Sequence, residues 1–161
     1  MLFKKRTDVV DYCSMNISIL FSQEREKIWL QLKKDCNDSS FDNVENQKYY
    51  DHLRAIIIEL MHIAITKKCK WQISSDARMF TMNYLNEHNL KAIEALQNKY
   101  NKAFGSSYTD GIIPMVSLFN ELLTSSKMQE STIERFYTEF YAMIKIFFDD
   151  QKSIKLVTKN P

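Results

Sequence analysis

The chain has 161 residues, 45% of them hydrophobic and 26% charged, with a formal net charge of +2. This is the composition of an ordinary globular protein; roughly 70% of the unfolded surface can be buried at this length, so a single domain over residues 1–161 needs no metal or disulfide to hold it. The small net charge gives no reason to expect nucleic acid as a partner, and with two glycines, Gly105 and Gly111, no phosphate-cradling loop, dinucleotide fingerprint or nucleophile elbow is available.

Apolar residues recur at three- and four-residue spacing along most of the chain, which predicts packed helices. The first helical region runs from about Thr7 to Lys34, with Thr7 as N-cap and Asp8 and Asp11 at its positive end. A fresh start is expected near Ser22, ahead of Ile28, Trp29 and Leu32. Residues Asn37 to Asn43 form a polar connection, in which Asp42 and Glu45 resemble a capping box.

The second helix, from about Asn43 to Lys68, is the most apolar. Tyr49, Leu53, Ile56, Ile57, Leu60, Met61, Ile63 and Ala64 share one broad face, while Ile58 and Ile65 fall outside it. Such a helix is expected at the structural centre, buried on more than one side. Ser74 or Ser75 then caps a third helix whose pattern continues to Tyr100, bent near His88–Asn89. Gly105 suits a left-handed C-cap, and Asp110 suits the cap of a short helix from Gly111 to Thr124 that tolerates Pro114 in its first turn. A last helix is expected from about Gln129 to Leu156. Its residues Ile133, Phe136, Tyr137, Phe140, Tyr141, Met143, Ile144, Phe147 and Phe148 occupy an arc of about 160°, with Ile146 outside it. The fold class is all-α, a single bundle of five or six helices with no appreciable sheet.

The Lys-, Asn- and Ile-rich composition suggests the AT-rich genome of a bacterium or phage. Cys13, Cys36 and Cys69, an odd number at wide spacing, do not read as a disulfide framework. Asp8 and Asp11 interrupt what would be the apolar core of a signal peptide. The apolar stretch from Leu53 to Ile65 is interrupted by Arg54, Glu59 and His62 and is too short to cross a bilayer. These features point to the cytoplasm, with reduced thiols and no membrane partner.

One local pattern has metal-ligand spacing: Glu59-Leu-Met-His62. Di-iron bundles use a Glu and a His three residues apart, but they use the motif twice, with two further glutamates. The remaining histidines here are His52 and His88, and neither completes a second motif. Glu59 and His62 therefore read as the polar edge of an amphipathic helix. Replacing Glu59 by alanine is expected to leave stability nearly unchanged unless the pair binds metal, and no cofactor is expected. Cys13 and Cys69 fit small core positions, and Cys36 has lysines and an aspartate with opposing effects on its thiol. The basic groups Lys4-Lys5-Arg6, Lys33-Lys34, Lys67-Lys68-Lys70 and Lys152 with Lys155 fall at chain or helix ends, where the helix dipole accounts for them singly.

These readings favour a non-enzymatic interaction protein of adaptor, inhibitor or immunity type, docking a preformed surface on another protein chain. The alternatives are a metal-binding bundle using Glu59 and His62, or a helical subunit associated with nucleic acid. The expected contact surface is the turn-rich segment from Ser106 to Met115, through Tyr108, Asp110, Ile112 and Ile113, because function concentrates on loops held by a rigid scaffold. The surplus apolar positions Ile58, Ile65 and Ile146 point to a two-fold homodimer.

Overall fold

Asp8 organises the start of the fold. In a computed structural model that describes residues 3–104, 119–120, 122–123 and 127–159, its carboxylate accepts from the backbone amides of Val10 and Asp11 at 2.9 and 3.1 Å. Helix α1 thus runs Val9–Leu20, capped by Asp8 and not by Thr7. Thr7 is instead part of a short strand, β1, Lys5–Asp8. The second oxygen of Asp8 accepts from the backbone amide of Lys159 at 3.0 Å, which ties the two ends of the chain together.

The expected fresh start at Ser22 is present. Its hydroxyl accepts from the Arg25 amide and caps α2, Gln23–Cys36. Asn37 closes α2 in the left-handed conformation, with φ of 45°. The polar connection that follows contains a 3-10 turn, Ser39–Phe41. Helix α3, Asn46–Lys68, has Glu45 as its N-cap without a side-chain bond, so the Asp42–Glu45 capping box does not form. The third predicted helix divides into α4, Trp71–Glu87, and α5, Lys91–Phe104. The division falls at His88–Asn89, where Asn89 takes φ of 56°. Neither Ser74 nor Ser75 caps α4, which begins three residues earlier. Two residues, Cys69 and Lys70, suffice to turn the chain, and the Ser74 hydroxyl instead bonds Thr66 of α3 at 2.7 Å.

Helix α6 spans Glu130–Ser153. The expected helix end at Leu156 is overtaken by a second strand, β2, Ile154–Val157. It pairs with β1 in parallel, Lys5 beside Ile154 through Asp8 beside Val157. A parallel pair needs a long crossover, and here the crossover is the whole helical body. Among the described residues the chain forms the expected all-α bundle with no appreciable sheet: six α-helices with one small ribbon of four residues on each side.

Helix α3 is the centre, packed against α2, α4, α5 and α6. Fifteen of its 23 residues are buried. Ile58 and Ile65, outside the main apolar face, are both fully buried, because neighbours surround the helix on several sides. Two of the three positions that suggested a homodimer are therefore filled within one chain, while Ile146 remains 55% exposed. Arg54 is 4% exposed and pins the α1–α2 corner to α3. Its guanidinium bonds Glu26 at 2.6 Å and the Leu20 carbonyl at 3.4 Å, and lies 4.5 Å from the centre of the Phe21 ring. On α6, Phe136, Phe140 and Phe147 are buried, Tyr137 and Phe148 are half-buried against the core, and Tyr141 is exposed. Among the described residues, no helix is long and apolar enough to cross a membrane.

Candidate functional site

Glu59 and His62 sit in the interior between α3, α4 and α5, and each is occupied by protein contacts. Glu59 is fully buried. Asn101 donates to its Oε1 at 2.6 Å, Gln97 to its Oε2 at 3.5 Å, and the Arg78 guanidinium approaches Oε1 at 3.5 Å. These partners come from α4 and α5, beyond the reach of sequence spacing.

His62 Nε2 lies 2.9 Å from the Thr81 hydroxyl, which itself donates to the Ala77 carbonyl at 2.9 Å. The Thr81 oxygen thus accepts, Nε2 carries the proton, and Nδ1 is left without a partner. Burial, with the Arg78 charge adding to it, pushes the imidazole down to about 3. His62 is a neutral donor at physiological pH, and with the Thr81 proton turned to a carbonyl the pair has no nucleophile–base geometry. His52 Nδ1 lies 3.0 Å from the Tyr100 hydroxyl in the same interior. His88 sits at the end of α4, stacked on Tyr84 and bonded to its carbonyl at 2.8 Å. Among the described residues, no three His, Cys, Asp or Glu are grouped to hold a metal ion.

None of the cysteines is an activated thiolate. Burial pushes Cys13 up to about 12, with Asp8 adding to the rise. Burial also raises Cys36, the nearby Arg135 opposing and Asp35, Asp38 and Glu139 reinforcing it. Cys69 is raised by burial against the opposing charge of Lys4. All three are unpaired.

One feature that suits binding of another chain is a cleft of about 270 Å³ between α2 and α6. Its floor is core: Trp29 from α2, Leu53 and Ile57 from α3, and Phe140 from α6 are all buried. The rim is charged, with Arg25 and Asp35 on α2 and Arg135 and Glu139 on α6. Arg135 reaches Asp35 across it at 3.5 Å, an exposed and therefore weak pair. Ile28, 56% exposed, lines the cleft, and Ile146 lies one turn beyond Met143 on the face that Glu139 and Met143 share. Toward the end of α2 the cleft continues into a polar recess holding Cys36, Ser131 and Thr138.

The sequence pattern singled out the surplus of Ile146 but not the cleft, because the cleft needs the crossing of two helices about 100 residues apart. Tyr108, Asp110, Ile112 and Ile113, along with the expected caps at Gly105 and Asp110, lie outside the described residues. Comparison with protein-family models, with curated proteins and with solved structures finds no match to this chain.

Proposed function

We propose that the chain is a non-enzymatic interaction protein, of adaptor, inhibitor or immunity type, that receives a helical segment of another protein chain in the α2–α6 cleft. The observation that carries this reading is the cleft itself: an apolar floor, a rim of both charge signs, and an exposed isoleucine, Ile28, in its lining, with Ile146 exposed one turn beyond Met143 on α6. A furrow between two helices suits the ridge of a third, whose apolar residues at three- and four-residue spacing fill the floor. The alternating rim charges set register and select among partners. Segment 106–115, through Tyr108, Asp110, Ile112 and Ile113, is proposed as a second contact region on the strength of its sequence. Unpaired cysteines accord with work in a reducing cytoplasm, and the composition accords with a bacterial or phage source.

The test uses Ile28→Glu and Ile146→Glu, both at exposed positions and both expected to melt like the native protein. Partners recovered by affinity capture are identified, purified and titrated against each variant. A charge in the cleft at Ile28, or beside its end at Ile146, should weaken binding by about tenfold or more. A partner bound equally by the native chain and by both variants would place the contact elsewhere, and a parallel Tyr108→Ala arm would show whether segment 106–115 carries it.

A further inference from the structure

Four lysines that are far apart in the sequence meet at the end of the bundle where β1 and β2 pair. Lys68 and Lys70 come from the α3–α4 junction, Lys155 from β2, and Lys4 from the residue before β1. Together with Cys69 and Gln151 they line one open cavity of about 520 Å³. No aspartate or glutamate lines it, and none of the four lysines has a carboxylate partner among the described residues. Strand register also sets Arg6 beside Lys155; side chains of paired residues share a face, so a fifth cation adjoins the group.

Helix ends explain part of this. Lys68 and Lys70 lie at the negative end of α3, and Lys4 Nζ donates to the Gln151 carbonyl near the end of α6 at 3.2 Å. They do not explain why the ribbon brings Lys4 and Lys155 onto the α3–α4 junction with no acid, among the described residues, in the lining of the cavity. Two further observations concern donors. Helix α4, 17 residues long, opens at this cavity with no side-chain cap on its first amides. Gln151, 7% exposed, accepts from the Cys69 thiol at 3.4 Å through Oε1, while its amide nitrogen is a donor left over, near the Tyr12 hydroxyl but without a well-formed bond to it. The cavity thus offers ammonium groups and N–H donors in excess of acceptors.

We propose that this cavity binds a small ligand bearing a di- or triphosphate group. Such a group carries several negative charges and presents acceptors alone, which complements four lysines and an uncapped helix start. The volume falls within the range of small-molecule sites. A concave site favours a compact ligand over the extended row of phosphates on a nucleic-acid strand or a membrane surface. The proposal is one of binding and involves no covalent step. It is independent of the α2–α6 cleft, since Glu139 and Gln151 stand roughly 18 Å apart along α6.

The experiment is calorimetric titration of the full chain with inorganic pyrophosphate, at low and at physiological salt. The exposed substitutions Lys70→Ala and Lys155→Ala are compared with Lys34→Ala on α2, all verified to melt alike. The expected result is saturable binding to one site, weakened by about tenfold in each cavity variant and unchanged in Lys34→Ala. No saturable heat at millimolar pyrophosphate, or equal affinity in all variants, overturns the proposal. A single-stranded oligonucleotide and vesicles containing phosphatidylserine form two further arms. Tighter binding to either than to pyrophosphate, lost in the same two variants, would assign the surface to nucleic acid or to lipid and overturn the small-ligand site.

Discussion

Asp38 Oδ2 lies 2.6 Å from the Thr132 hydroxyl, across 94 positions of sequence. The same oxygen accepts from the Gln129 amide at 2.8 Å, and Oδ1 accepts from Ser40 at 2.9 Å. One carboxylate therefore caps the 3-10 turn in the α2–α3 connection and holds the start of α6, which has no cap of its own from Gln129. Burial acts to raise this carboxyl, but the hydrogen bonds from Ser40, Thr132 and Gln129 outweigh it and hold the group at about 2.

Asp38→Ala is expected to cost about 3 kcal/mol, since it removes several hydrogen bonds to a charged acceptor. An unfolded aspartate titrates near 3.9. The stabilisation is therefore complete above about pH 4 and is lost as pH falls through about 2. Denaturant unfolding at pH 7 measures the cost, and native and variant stabilities should converge near pH 2. A variant as stable as the native chain at pH 7 would show that α6 does not depend on this cap.

His62 gives a second acid-sensitive window. The folded protein keeps it neutral down to about 3, whereas an unfolded histidine takes up a proton near 6.5. The unfolded state binds the extra proton, so stability falls as pH drops from about 6.5 toward 3, with a limiting slope of about 1.4 kcal/mol per pH unit. In His62→Leu that part of the slope should disappear. Parallel pH profiles for the variant and the native protein between pH 6 and 4 would contradict the neutral, buried imidazole.

Glu59→Ala is expected to destabilise the fold by about 3 kcal/mol, in contrast to the near-neutral effect expected from sequence spacing. Removing the carboxylate leaves the donors of Asn101 and Gln97 and part of the Arg78 charge without their acceptor. Glu59→Gln should recover part of the loss. Chelator-treated protein serves for both measurements, so that any loss arises from the network and not from a metal.

Ile57→Ala and Leu60→Ala, at positions 2% and 3% exposed, should each cost roughly 2–5 kcal/mol. Ile58→Ala and Ile65→Ala should behave alike, lowering the melting point without changing the molar mass in sedimentation. A shift in mass with unchanged melting would return these two residues to a subunit interface.

The helices were legible because their signal is local. Apolar spacing on α3 identified the central helix, Ser22 marked a true start, and Asn89 lay where the backbone turns left-handed. The errors arose where a partner is remote. Ser74 has the chemistry of a cap, but its hydroxyl is committed to Thr66. Residues 154–157 continue an apolar helical pattern, yet pairing with residues 5–8 draws them into a strand. Arg54 and Glu59 looked like interruptions of an apolar run because their counterparts, Glu26 on α2 and Asn101 on α5, are set by packing. The lysine cavity was invisible for the same reason: a net charge of +2 averages over the chain, and each basic group had a sufficient local explanation.

The parallel ribbon has a mechanical consequence. Tension applied before Lys5 and after Val157 pulls the two strands along their length in opposite directions. The inter-strand hydrogen bonds are then loaded together, in shear, instead of being opened one after another from an end. Four residues on each side, with Asp8 clasping Lys159 at the far end, thus act as a latch over the helical body. Force between those two points must slide the latch before it can unravel α1 or α6.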